Sequence, residues 1–317
     1  MGARYIETDD GTRLAVYEEG NAGGPTVILV HGWPDSHVVW DGVVALLAND
    51  YRIIRYDNRG AGGSSVPEPV SAYALARLAE DFATIADELC PDSPVHVVGH
   101  DWGAATMWEY LSRPEAADRV ASYTSISGPD PQHLSRFVRD GLSRPYQPRR
   151  FARALSQALH FSYMIGFSVP VLMPAAMRAF LARAINRWFI APGLPPQHRQ
   201  RADTYVADAT NGLKIYRANF FGALMHAVRD RFVSVPVQLI VNTEDIFVRP
   251  YVYDDTSRWV PRLWRRDIRA GHWSPVSHPQ VVATAVTELI SHLNGSPASP
   301  ALSGAHVARS HVARSLG

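Results

Sequence analysis

Of 317 residues, one is a cysteine and one, Lys214, is a lysine. A single cysteine excludes an internal disulfide and fits a reducing compartment. Cys90 closes an amphipathic stretch, so packing is its expected role. The amino-terminal "MGARYIETDDG" lacks the apolar core of a secretory leader. Its Met-Gly start does not make a myristoylation signal, because Ile6 stands where Ser or Thr is needed. The nearest approach to a spanning run, "LHFSYMIGFSVPVLMPAAM", is broken by Pro170 and Pro174 and reads as a buried or substrate-facing lid. The expected address is therefore cytoplasmic. There is no G-x-G-x-x-G dinucleotide segment either.

Acid and base nearly cancel. A net charge of +1 argues against a general nucleic-acid role. The balance is uneven, however: from Arg136 to Arg201 there are 11 arginines and one acid, Asp140. A solvated helical surface accounts for that, as does attraction to anionic substrates or weak association with an anionic membrane surface.

What is present is a chain that can bury a large core, 46% hydrophobic and 19% charged. Residues 4–19 alternate around "DDG", which predicts a β-hairpin. Largely apolar strands follow at 26–32, 51–57, 95–101, 122–129, 237–245 and 263–272. The clearest are continuous rather than alternating, as expected of strands covered on both faces in a parallel sheet. Helical patterns lie between them; "YALARLAEDFATIADEL" (73–89) has i, i+3, i+4 apolar spacing. The class is α/β, with a mostly parallel, doubly wound sheet. The pattern assigns residues 1–129 and 233–294 to the core and the strandless 130–232 to an inserted helical cap. From 295 to 317 the composition, with a tandem "HVARS", reads as a disordered tail or linker.

The chemistry centres on "VVGHDWGAAT" (97–106). A strand runs into Gly99-x-x-x-Gly103 and a helix, the outline of a nucleophile elbow, with Asp101 at the raised position. With a reference pKa of about 3.9, aspartate is an anion at neutral pH without help from a base. Attack on an ester would give an anhydride, which is uphill. Attack on an electrophilic saturated carbon gives an alkyl ester that accumulates and then hydrolyses. Opening of a strained ether or displacement of a halide is thus favoured over ester cleavage. Hydrolysis of the ester needs a base, and "RAGHWSP" places His272 just after the last strand. "VNTEDIFV" offers Asp245 to orient it; Asp130 in "SGPDPQ" is the reserve. Oxyanion donors are expected from the N–H groups of Trp102, after the nucleophile, and Trp33 in "HGWPDS". Trp33-Pro34 is the expected site of a cis peptide. Ser125 and Ser127 lie near a strand end but in no elbow, which disfavours a serine esterase.

The segments "HGWPDS", "GHDWG", "TEDIFV" and "AGHWSP" resemble the epoxide hydrolase branch of the α/β-hydrolase superfamily, over the chain up to about residue 294. The resemblance implies the α/β-hydrolase fold, the nucleophile–histidine–acid triad and a lid, with no cofactor or metal. "YDNRGAGGSS" (56–65) is similar to the family's glycine-rich segment, with a structural role. "FSYMIGFSVP" and "LKIYRANF" resemble the two lid segments that carry tyrosines, placing Tyr163 and Tyr216 over the nucleophile to protonate the ring oxygen. Gly166 departs from the bulkier aromatic often found there, which bears on pocket width. The implied substrate is a small-molecule epoxide; the apolar lid stretch and its arginines suggest a lipophilic, lipid-like one. Haloalkane dehalogenases share the Asp-Trp-Gly elbow and are the alternative; a non-catalytic binding protein on the same fold, as in hormone receptors, ranks third. The pattern is also that of actinobacterial proteins in which such a hydrolase precedes a short-chain dehydrogenase domain, and the residues leave open whether one follows here. The oligomeric state is not encoded in any of these motifs.

Overall fold

The computed structural model describes residues 2–198, 202–225 and 230–308. One nine-stranded sheet runs through it in the order β1-β2-β4-β3-β5-β6-β7-β8-β9. The strands are β1 Arg4–Glu7, β2 Arg13–Gly20, β3 Thr26–Val30, β4 Arg52–Tyr56, β5 Val95–His100, β6 Val120–Ile126, β7 Val237–Asn242, β8 Leu263–Ile268 and β9 His306–Val307. All pairings among β3 to β8 are parallel. The expected hairpin is β1–β2, and among the described residues antiparallel pairing occurs only there, at β2–β4 and at β8–β9. Every residue of β5 and β7 is buried, which is why those segments carry no polar alternation.

Helices cover both faces. α1 Asp41–Leu47, α2 Leu75–Leu89, α3 Trp102–Leu111 and α4 Ala116–Arg119 alternate with the strands. Between β6 and β7 come α5 Pro131–Leu142, α6 Pro148–His160, α7 Tyr163–Phe167, α8 Leu172–Ala176, α9 Ala182–Ile185, α10 Tyr205–Asn211 and α11 Leu213–Met225, and no strand among the described residues. α12 Ser274–Ser277 and α13 Pro279–Leu293 follow β8, and α14 is Pro300–Ala305. No single described helix is long and apolar enough to cross a membrane.

α2 shows how pattern becomes packing. Leu75, Leu78, Phe82, Ile85 and Leu89 are buried along one stripe. Asp81 shares that stripe because Arg59, itself buried, donates to it from Nε at 2.8 Å and binds Asp10 at 2.7 Å. Burial raises the Asp81 carboxyl to about 6 even so. The glycine-rich segment after β4 thus has the structural role expected of it: its arginine ties the first hairpin's turn to α2. Cys90 is buried at the end of the same helix.

The two largest apolar clusters lie on opposite faces of the sheet. The second includes Val98, Trp33 and Trp40 together with Met177, Ala182, Leu213 and Tyr216 from the cap, so the cap and core share a packed interior. Register places the carboxyl ends of the strands level, with Val30 beside Gly99, Gly99 beside Ser125 and Ile126 beside Ile240. The loops after β3, β5, β6, β7 and β8 therefore open on one edge. They do so where strand order reverses about β3, the usual ligand crevice of such sheets.

The composition from Gly295 predicts a disordered tail, and up to Ala308 the structure differs. Ser299 caps α14 by accepting the Leu302 N–H at 3.0 Å. Leu302 and Ala305 bury against Trp264 and Leu289. His306 and Val307 pair with Trp264 and Leu263 and so extend the sheet by a strand. Small and polar residues hid two apolar anchors at the right spacing. Residues 309–317 lie outside the described residues.

α3 crosses β3 at close range. A Cβ at Gly103 would stand 2.3 Å from the Val30 carbonyl oxygen and 2.4 Å from that of His31, backbone atoms at the carboxyl end of β3. Gly103→Ala is expected to destabilise the chain by about 1–3 kcal/mol. An unchanged urea midpoint in that variant would show that the helix has room to move.

Candidate active site

Asp101 sits at φ 54° and ψ −122°, a backbone conformation that non-glycine residues rarely adopt. Two hydrogen bonds hold it there: its N–H donates to Ile126 O at 3.1 Å, and its carbonyl accepts from Ala105 N at 3.0 Å. The side chain is thereby lifted clear of the sheet edge toward the loop after β3. Gly32 is required opposite, since a Cβ there would lie 2.4 Å from Asp101 Oδ1. That clearance lets the Trp33 N–H donate to Oδ1 at 2.8 Å. The Trp33–Pro34 peptide is cis, as the sequence suggests. Trp102 is the first residue of α3, where backbone N–H groups lack intrahelical acceptors.

The other oxygen, Oδ2, faces His272 Nε2 at 3.4 Å. On the far side of the ring, Nδ1 lies 2.8 Å from Asp245 Oδ2. Asp245 Oδ1 accepts from the N–H groups of Phe247 and Val248 at 2.7 and 3.0 Å. The imidazole is thus in line between two carboxylates, both histidine and Asp245 being buried. The neighbouring acid, Glu244, turns outward to Arg269 at 2.7 Å. The reserve candidate, Asp130, is engaged elsewhere: its Oδ1 caps α5 by accepting from Gln132 and His133. Ser125 donates to Gly128 O at 2.7 Å, so neither it nor Ser127 replaces the elbow residue.

Burial works against a charged His272, but the Asp245 charge and the hydrogen bonds to Asp101 and Asp245 outweigh it, and the imidazole is pushed up to about 10. Burial also opposes ionisation of Asp245; the His272 charge, its hydrogen bond and the two backbone donors nevertheless hold that carboxyl below the ordinary range. Resting His272 is therefore an imidazolium.

Behind the ring stands a polar scaffold that motif reading missed. The His272 carbonyl accepts from His100 Nε2 at 2.9 Å, Asn242 Nδ2 at 3.2 Å and Ser127 Oγ at 3.3 Å. Asn242 also donates to Ser127 Oγ and Ser274 Oγ at 2.7 and 3.0 Å. All four side chains are buried. A polar residue at the end of each of three apolar strands was the available signal.

The lid supplies the remaining groups. Tyr216 on α11 is buried, with its ring edge-on to Trp102 at 5.2 Å and to Trp33 at 5.4 Å. Tyr163 opens α7, 6.1 Å from Tyr216 between ring centroids. Burial and the Asp101 charge raise both phenols well above their ordinary value, so both stay protonated. Phe167 and Phe247 close the aromatic ring around them. The Trp33 indole, pointing away, donates to Ala209 O of α10 at 2.9 Å.

A separate cleft of about 460 Å³ opens beyond the Trp33 loop, lined by Asp35, Asp41, Asp203 and Asp208 among others. Three of its acids have structural partners. Asp35 accepts from the Trp273 indole, Asp41 pairs with Arg55, and Asp208 accepts the Gly62 N–H and the Thr204 hydroxyl. Burial raises Asp208 to about 6.

Residues 25–279 match the model of the alpha/beta hydrolase fold family. The chain is 54% identical over 310 residues to a Mycobacterium tuberculosis protein named "Probable oxidoreductase EphD", covering 97% of this chain and 52% of that one. It thus spans about half the length of that relative. It is 29% identical to "Epoxide hydrolase A" of the same organism, covering 92% of this chain and 99% of the relative. Among solved structures it is similar to a Bacillus megaterium epoxide hydrolase in complex with an inhibitor, with a TM-score of 0.76 and 21% identity over 91% of this chain and 100% of that one.

A raised pKa in the fold stabilises the protein below the ordinary value and ceases to do so above the raised one. The contribution of His272 is thus complete below about pH 6.5 and lost as pH rises to about 10. Urea unfolding of wild type and His272→Gln across that interval should show their stability difference shifting steadily against the wild type. A pH-independent difference would mean that the folded imidazole is not held protonated.

Proposed function

Because the chain belongs to the alpha/beta hydrolase fold family, we propose that it is an epoxide hydrolase that opens a lipophilic epoxide to a vicinal diol through a covalent aspartyl ester. The observation that carries this reading is a carboxylate at the elbow with two lid tyrosines whose rings pack on each other and on Trp102 beside it. Similarity to epoxide hydrolase A supports it.

Oδ1 of Asp101 is held by the Trp33 N–H, which leaves Oδ2 as the attacking atom. Oδ2 bonds to one ring carbon, the carbon–oxygen bond breaks, and a tyrosine gives its proton to the departing oxygen. A buried tyrosinate is costly, so the His272 imidazolium proton returns to it through solvent. Esterification has meanwhile removed one of the two negative charges that kept the ring protonated. The neutral imidazole then takes a proton from water as the hydroxide attacks Asp101 Cγ. Charge develops on Oδ1, toward the N–H groups of Trp33 and Trp102. Collapse releases the diol and restores the carboxylate and the imidazolium.

The dehalogenase alternative needs indole or amide N–H groups open to a halide. Here the indole of Trp33 is engaged by Ala209, and the Tyr216 ring packs edge-on to Trp102. The oxidoreductase in the relative's name finds no G-x-G-x-x-G segment in these 317 residues.

With styrene oxide, His272→Gln is expected to stall after the first half-reaction, so intact-protein mass spectrometry should show enzyme plus substrate. Only unmodified protein under turnover conditions would remove the ester from the scheme. Tyr163→Phe combined with Tyr216→Phe should lower the rate of ester formation by about 10²–10⁴. A near-normal rate, or halide release from haloalkanes by the wild type in place of diol formation, would sink the epoxide reading.

A further inference from the structure

The surface of the lid has a composition that neither the fold nor the chemistry beneath it explains. Eighteen large hydrophobic side chains are exposed among the described residues, and nine of them fall between positions 155 and 189. They are Leu155 and Leu159 on α6, Ile165 on α7, Val169, Val171 and Leu172 at the bend, and Phe180, Trp188 and Phe189 beyond it. A soluble surface normally scatters such residues singly.

Their arrangement follows the chain's course. Pro148–Phe167 and Leu172–Gly193 are together apolar enough to pass for a membrane span, yet they meet at 89°. Two limbs at a right angle cannot cross a bilayer as one helix; they can lie along its surface with the corner lowest. At that corner Val171 has φ 63°, an outlier for a β-branched residue. Val171 and Leu172 are also the most exposed of the nine, at 77% and 73%.

Charge names the occupant. No acidic residue stands between Asp140 and Asp203. On the second limb Arg178, Arg183 and Arg187 are exposed and alternate with the apolar side chains. None of the three has an acidic partner among the described residues; Arg187 lies over the Trp188 ring at 5.4 Å. Apolar tips flanked by arginines and an interfacial tryptophan suit the headgroup zone of an anionic bilayer. A second copy of the chain would bring the same positive charges face to face. Arg199 and Arg201 lie outside the described residues.

The underside of this segment is the reaction chamber. Tyr163 stands two residues before Ile165, and Phe167 packs on Trp33 and Tyr216. The later cap helices are fastened to the core by polar bonds: Asp208 to the Gly62 N–H, Asn211 to Gly60 O, Lys214 to Pro67 O and Asn219 to the Leu75 N–H.

We propose that the bent segment Leu155–Phe189 is a docking surface for an anionic lipid bilayer, lying in the interface with its corner at Val171–Leu172. Docking would set the lid's tyrosine-bearing limb against the lipid phase. The surface stands whatever substrate is processed beneath it, and its test reads binding rather than turnover.

Flotation with vesicles of phosphatidylcholine and roughly one-third phosphatidylglycerol should carry the protein up, and vesicles of phosphatidylcholine alone should carry much less. Arg178→Gln, Arg183→Gln and Arg187→Gln combined should weaken partitioning to the anionic vesicles by about 100-fold. Val171→Ser with Leu172→Ser and Trp188→Ser should abolish it on both. All six positions are exposed, and circular dichroism will verify the fold of each variant. Three results would overturn the proposal: no flotation with anionic vesicles, variants that float as the wild type does, or a lipid-free dimer that the serine variant breaks, which would assign the face to a second copy.

Discussion

The site depends on one imidazole held between two carboxylates. Two buried ionisable groups and a half-buried carboxylate are stable together only if opposite charges adjoin, because an unpaired charge in that interior costs several kcal/mol. His272 bridges Asp101 and Asp245, and each neighbour's remaining oxygen is met by backbone N–H groups. In the proposed scheme, esterification of one carboxylate unbalances this arrangement and lets the ring release its proton.

The sheet exists to bring these groups level. Continuous apolar strands bury on both faces, register sets their ends side by side, and a strained residue at position 101 turns its side chain out of the plane. Hydrogen bonds to Ile126 and Ala105 hold the strained residue, and close approaches at Gly32 and Gly103 leave it room. Behind the histidine, three side-chain donors converge on a single carbonyl and fix the loop that carries it.

Much of this was legible in the residues. Each apolar run became a strand, "GHDWG" became the elbow, and Asp245 rather than Glu244 or Asp130 reached the imidazole. Local sequence shows such features because a tight turn demands glycine at fixed spacing and a doubly covered strand demands an unbroken apolar run. The scaffold of His100, Ser127 and Asn242 was not legible. It joins the ends of three strands that are far apart in the chain, and only register unites them. The tail after Gly295 misled for a related reason. Its two anchors, Leu302 and Ala305, acquire meaning only opposite Trp264 and Leu289.

Trp33 works in two directions. Its main-chain N–H grips Asp101, while its indole grips the carbonyl of Ala209 in the lid. A displacement of α10 therefore bears on the residue whose amide holds the Asp101 carboxylate. Roof and floor are joined through a single residue that serves as a tie-rod between them.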